Sequence, residues 1–175
     1  AEQGQTVLAL SRITHNKRLA SSVKWLKADL SLPETYQSTI QTFSPEAVIH
    51  LAWQDIPNFS FETSLNNLNY SLNLLSFVFG LGTCKKVLVS GSCFEVNRLK
   101  GECLETETGT PNDHFTRAKH ALRSWLEVIC AKQKIDLGWM RVFYVYGPRQ
   151  RQESLIPSIL THLQNGKLPD LRTPQ

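Results

Sequence analysis

The stretch Lys86-Val87-Leu88-Val89-Ser90-Gly91-Ser92-Cys93-Phe94-Glu95 decides the fold. Lys86 to Ser90 is a short run, mostly apolar, that ends in small and polar residues, so it reads as a buried strand. Upstream, Ala47-Val48-Ile49-His50-Leu51-Ala52 has the same build. Its apolar continuity suits a parallel sheet covered on both faces. Between the two, the periodicity predicts a helix over Glu62 to Phe79. Leu65, Leu68, Leu72 and Leu75 form its apolar stripe, and Gly80 and Gly82 end it. Downstream, a helix from Asp113 to Lys134 places Phe115, Ala118, Leu122, Leu126 and Ile129 on one side. Leu137 to Val142 is a further strand.

Further out, Thr6 to Leu10 and Val23 to Ala28 read as two more strands. Ser31 as N-cap, Pro33 and Glu34 predict a helix start, with Tyr36, Ile40 and Phe43 on one face and Pro45 as its stop. Residues 97–112 are polar and acidic and read as a loop. Ser154 caps a last helix with the face Leu155, Ile159 and Leu163, closed by Gly166. Strands alternating with helices in this order predict an α/β fold with a parallel sheet and right-handed crossovers.

With 175 residues the chain is expected to form a single domain, residues 1–175. Apolar residues make up 41% and charged residues 19%, which excludes a disordered chain. The longest apolar run, Leu72 to Leu81, is broken by Asn73, Ser76 and Gly80, so no membrane span is expected. The N-terminal residues carry no signal-peptide core, and a cytoplasmic location is the default. Cys84, Cys93, Cys103 and Cys130 include no Cys-x-x-Cys pair and lie near no zinc-spaced histidines, so they read as free thiols and no metal is expected. The net charge is +4. The basic residues are scattered rather than striped with aromatics, which argues against nucleic acid. A mildly basic surface suits a phosphate-bearing small molecule.

Four local patterns occur in order: Ala28-Asp29-Leu30, His50-Leu51-Ala52, Ser90 to Glu95, and Val145-Tyr146-Gly147-Pro148-Arg149-Gln150. Together, over nearly the whole chain, they resemble the extended short-chain dehydrogenase/reductase family of NAD-dependent, nucleotide-sugar epimerases, dehydratases and 4-keto reductases. Gly91 to Glu95 with Phe143 to Pro148 is similar to the branch that makes CDP- or dTDP-linked deoxysugars. The resemblance implies a Rossmann-like parallel sheet, an NAD(P) cofactor and a nucleotide-diphospho-sugar partner. It implies Asp29 beside the adenine ring, Leu51 and Ala52 as the apolar floor under the riboses, and Asn67 ordering a water near the lysine. Ser92 matches the serine that polarises the sugar oxygen, and Lys119 the lysine that holds the nicotinamide ribose. Glu95, Tyr144 and Arg149 fall on the substrate side. Plainer readings stay open: Asp29 and Ser92 as turn residues, Asn67 as one of several solvating asparagines, Arg149 with Arg151 as a solvated pair, and Glu95 as a surface residue.

Two departures qualify the resemblance. The family's Tyr-x-x-x-Lys reads here Phe115-Thr116-Arg117-Ala118-Lys119. The spacing puts both side chains on one helix face. A phenol there would exchange a proton with a sugar oxygen as hydride moves, and phenylalanine has none. The second departure is the absence of Gly-x-x-Gly-x-x-Gly, whose glycines admit the pyrophosphate to a helix N-terminus. The first strand, loop and helix are expected to lie upstream of Ala1, and a substrate-capping segment to follow the tail Leu168 to Gln175. In the order 3-2-1-4-5-6 the absent strand is central, so two inner edges are left. Either they close up, another chain fills them, or the chain has a longer parent. At the end of the strand Thr6 to Leu10, which matches the family's second, Ser11 and Arg12, with Lys17 and Arg18 nearby, suit a 2′-phosphate, which favours NADP over NAD. An enzyme impaired by Phe115, a non-catalytic nucleotide-binding module and a partner-dependent structural fragment, with a homodimer among its forms, are the three functional alternatives.

Overall fold

In the computed structural model, the described residues are 4–13, 23–96, 101–107, 109–148 and 150–169. The chain divides into two compact units, Ala1–Val142 and Phe143–Gln175. The first unit holds β1 (Val7–Ser11), β2 (Val23–Lys27), a 3-10 turn (Pro33–Thr35), α1 (Gln37–Phe43), β3 (Ala47–His50), α2 (Phe61–Gly80), β4 (Lys86–Ser92), a second 3-10 turn (Cys93–Glu95), α3 (His114–Gln133) and β5 (Asp136–Val142). The second unit holds α4 (Leu155–Gln164). All strand pairs are parallel, which gives the expected Rossmann-like arrangement of parallel strands and flanking helices.

The strands form two sheets, β1-β2 and β3-β4-β5. Among the described residues, the inner edges of β1 and β3 are not paired with each other, so they have not closed up. One apolar core nevertheless joins the two halves. Ala28, Tyr36 and Ile40 pack with Leu74, Leu75 and Val78 of α2, Val87 and Val89 of β4, and Leu122 and Leu126 of α3. Right-handed crossovers that step in one direction put successive helices on the same face. That face is the one toward which Val87 and Val89, both 0% exposed, point.

The opposite face departs from expectation. Ile49 aligns with Leu88 and Gly138 across the sheet. It is 65% exposed, and Trp25 of β2 is 40% exposed. The run Ala47 to Ala52 was expected in a sheet covered on both faces. It is covered on one, and its strand stops at His50.

Local chemistry explains the other shifts. Ser31 caps no helix: its N–H and hydroxyl both donate to Asp29 Oδ1, at 2.9 and 2.7 Å. The expected helix start is therefore a 3-10 turn, and α1 begins at Gln37. In α2 the buried face runs Ser64, Asn67, Ser71, Leu74, Leu75 and Val78, while Leu65 of the expected stripe is 41% exposed. Asn67 and Ser71 on this face find partners within the unit, while the buried Ser64 hydroxyl has none, so tertiary bonding overrides apolar periodicity at two of the three polar positions. α3 matches its pattern. Asp113 caps it by accepting from Thr116 N–H, and Phe115, Ala118, Leu122 and Leu126 are buried. No helix among the described residues is long and apolar enough to cross a membrane. In α4 no residue is buried, and the Ser154 side chain makes no capping bond.

Candidate active site

The carboxyl ends of parallel strands gather loops on one edge of a sheet. Here His50 pairs in register with Val89, so the segment after β3 leaves the sheet beside Ser90, Gly91 and Ser92. Ser92 closes β4 as the cap of the following 3-10 turn. Its hydroxyl accepts from Phe94 N–H at 3.2 Å, and its own N–H donates to Glu95 Oε1 at 2.6 Å. Glu95 Oε2 accepts from the Trp139 indole N–H at 2.9 Å. Glu95 is 1% exposed, with both oxygens bonded inside the chain. Gly91 makes this fit possible. A Cβ there would overlap the Trp139 indole nitrogen and come within 2.5 Å of Glu95 Oε1.

α3 brings Lys119 to the same place. Its ammonium donates to the Ser90 carbonyl at 2.8 Å, two residues before Ser92. The Trp53 ring covers it, 3.9 Å from Nζ to centroid. Lys119 is 3% exposed. Burial lowers its pKa to about 8, and the Glu95 carboxylate opposes that fall. One helical turn earlier, Phe115 is 6% exposed. Its ring meets Trp53 edge-on at 5.5 Å and Phe59 at 4.8 Å. The expected one-face placement of residues 115 and 119 is therefore realised, inside an aromatic wall that carries no ionisable group.

Asn67 holds that wall in place. Its Oδ1 accepts from Gln54 N–H at 2.8 Å, and its Nδ2 donates to the carbonyls of Gln54 and Thr63. The amide side chain thus fixes the backbone next to Trp53. Below it, the Ser71 hydroxyl donates to the Asn67 carbonyl at 2.7 Å, so His50 Nε2, 2.9 Å from that hydroxyl, must be the protonated donor nitrogen. Burial, with Lys119 nearby, lowers the His50 pKa to about 4 and keeps the ring neutral.

Of the other candidates, Arg12 reaches Gln54 next to Trp53, while Asp29 is bonded locally by Ser31. Asp29 follows β2 directly, and its bonds from Ser31, with Arg12 nearby, hold its pKa below the ordinary carboxylate value. Arg12 Nη1 donates to Gln54 Oε1 at 3.4 Å, and the Ser11 hydroxyl accepts from Ile13 N–H. Leu51 and Ala52 are exposed, Leu51 at 63%. Tyr144 belongs to the second unit and is 74% exposed. Arg149, Lys17 and Arg18 lie outside the described residues. Sequence reading missed Trp53 and Trp139. Trp53 follows His50-Leu51-Ala52 directly, and a large aromatic next to a candidate ribose floor was the available signal.

Two groups that could serve the opposite ends of a dinucleotide are present, an ammonium beside Ser90 and a charged carboxylate after β2. The described residues hold no glycine-rich strand-to-helix turn for a pyrophosphate. Cys84, Cys93 and Cys130 are buried thiols outside any disulfide.

Comparison with known proteins places this geometry. The dTDP-6-deoxy-L-talose 4-dehydrogenase (NAD(+)) of Aggregatibacter actinomycetemcomitans is 28% identical over 116 residues, 66% of this chain and 43% of that protein. The UDP-glucose 4-epimerase of Thermotoga maritima, solved with UDP-glucose, superposes with a TM-score of 0.78 at 21% identity, over 95% of this chain and 57% of that one. The Thermus thermophilus UDP-glucose 4-epimerase, solved with NAD, gives 0.73 at 23% identity, over 95% and 57%. The chain thus spans about half the length of these relatives. The sequence model of the NAD dependent epimerase/dehydratase family matches residues 1–174, and the chain belongs to that family.

Proposed function

We propose that the protein containing this chain binds NAD(P) and a nucleotide-diphospho-sugar and acts on the sugar by hydride transfer, as an epimerase, dehydratase or 4-keto reductase. Its turnover is held low by Phe115. The supporting observation is Lys119 bonded to the Ser90 carbonyl at the carboxyl end of β4, one helical turn from Phe115 and two residues from Ser92. In this reading Lys119 holds the nicotinamide ribose, and Ser92 donates to the sugar oxygen. Asp29 accepts from the adenine amine, and Leu51 and Ala52 form the ribose floor. Asn67 acts through Gln54, whose backbone it clamps. Ser11 and Arg12 favour NADP over NAD, while Tyr144 and Arg149 are assigned to the substrate side by resemblance alone. Bound NAD(P) supplies the hydride acceptor and donor. No side chain at position 115 exchanges a proton with the sugar, and losing a positioned acid/base typically costs about 10²–10⁴-fold in rate. The buried, unbridged Cys84, Cys93 and Cys130 suit a cytoplasmic protein.

One observation favours a second reading, a binding module without turnover: the Trp53 and Phe115 rings close over Lys119, and Phe59 packs on Phe115. Calorimetric titration with NAD, NADP and UDP-glucose tests both readings. Both expect saturable binding that Lys119→Met abolishes, and only the first expects a change in nicotinamide absorbance. Absence of binding by any of the three ligands contradicts both.

A further inference from the structure

Glu95 is a buried carboxylate that faces no solvent, and a buried charge persists only when its oxygens are bonded or paired. Both of its oxygens are bonded, one by the Ser92 N–H and one by the Trp139 indole N–H. They sit where only a glycine at position 91 leaves room. Ser92 is thus held twice, through its N–H by Glu95 and through its hydroxyl by Phe94 N–H. We propose that Glu95 is the positioning residue of this site: from beside Gly91 it fixes Ser92 through the backbone, at the strand end whose Ser90 carbonyl holds the Lys119 ammonium, without touching a ligand itself. The catalytic meaning rests on the functional reading above; the coupling of Glu95 to Ser92 and Lys119 stands apart from it.

Lys119 is coupled to two titratable groups: Glu95 acts on it, and it acts on His50. Glu95, in the turn after β4, favours its charged form. His50, on β3, is kept neutral beside it. Removing the Glu95 charge leaves burial unopposed. Glu95→Gln keeps the shape and an acceptor for Ser92 N–H, but it turns an amide donor toward the Trp139 indole donor. Adding Trp139→Phe removes that clash without restoring charge. The two effects of Glu95, holding Ser92 and charging the field, are thereby separable.

The test is nuclear magnetic resonance on the full chain. The titration of Lys119 Nζ and the Ser92 amide shift are followed in wild type, E95Q and E95Q/W139F. In E95Q the Lys119 midpoint is expected to fall by about one pH unit and the Ser92 amide to move. In the double variant the Ser92 amide is expected to return while the Lys119 midpoint stays low, a split that loss of packing alone would not produce. An unmoved Ser92 amide in E95Q overturns the proposal, as does failure of both variants to fold, which would assign Glu95 to the fold rather than the site. NAD and UDP-glucose titrations on the same samples keep the two failures distinct: a wild type that binds neither sinks the functional reading and leaves the coupling measurable.

Discussion

The Lys119 ammonium lies 3.9 Å from the centre of the Trp53 ring while it donates to the Ser90 carbonyl at 2.8 Å. A cation over an indole face contributes roughly 0.5–2 kcal/mol, more when desolvated. Trp53→Leu keeps an apolar cover and removes the aromatic face. It is expected to lower unfolding free energy by about 1–2 kcal/mol. Urea denaturation checks this, and a loss near zero would mean the ring covers Lys119 without holding it.

His50 gives the chain a pH dependence of definite sign. Its folded pKa of about 4 lies below the ordinary histidine value of 6.5. The unfolded chain therefore takes up a proton first as pH falls. Stability from the neutral ring is fully present above about 6.5 and is lost as pH falls toward 4, by on the order of 3 kcal/mol. His50→Gln keeps a donor for Ser71 and removes the titration. Subtracting its stability–pH curve from that of the wild type should give a rise across this window, and a flat difference would mean the ring titrates normally.

Asn67 clamps Gln54 from both ends of its amide. Asn67→Asp keeps the acceptor for Gln54 N–H but replaces the donor to the Gln54 and Thr63 carbonyls with a charged oxygen. The expected cost is about 1–3 kcal/mol. Loosening of the segment carrying Trp53 should also raise amide hydrogen exchange at residues 53 and 54. Unchanged exchange there would show that the clamp is dispensable.

Element order was legible because each strand is a short apolar run and α3 repeats its apolar residues with helical period. The site was legible only in part. Phe115 and Lys119 four apart on a helix predict a shared face, and the structure places them so. Neighbours joined by tertiary folding were not legible: no spacing rule links Trp53 to Lys119, 66 residues apart in sequence numbering, or Glu95 to Trp139 across the β4–β5 register. The stripe of α2 misled for the same reason. Ser64, Asn67 and Ser71 look like a solvated face in sequence, and Asn67 and Ser71 are buried because His50, Gln54 and Thr63 bond them.

The absent phenol at position 115 carries the central claim, and restoring it is the most direct measurement. In the full-length protein, Phe115→Tyr adds one hydroxyl to a ring one helical turn from Lys119. With NAD(P) and a nucleotide-sugar, nicotinamide absorbance is expected to show turnover rising by about 10²–10⁴-fold over the wild type. A folded variant that binds both ligands and turns over no faster would contradict the assignment of this position.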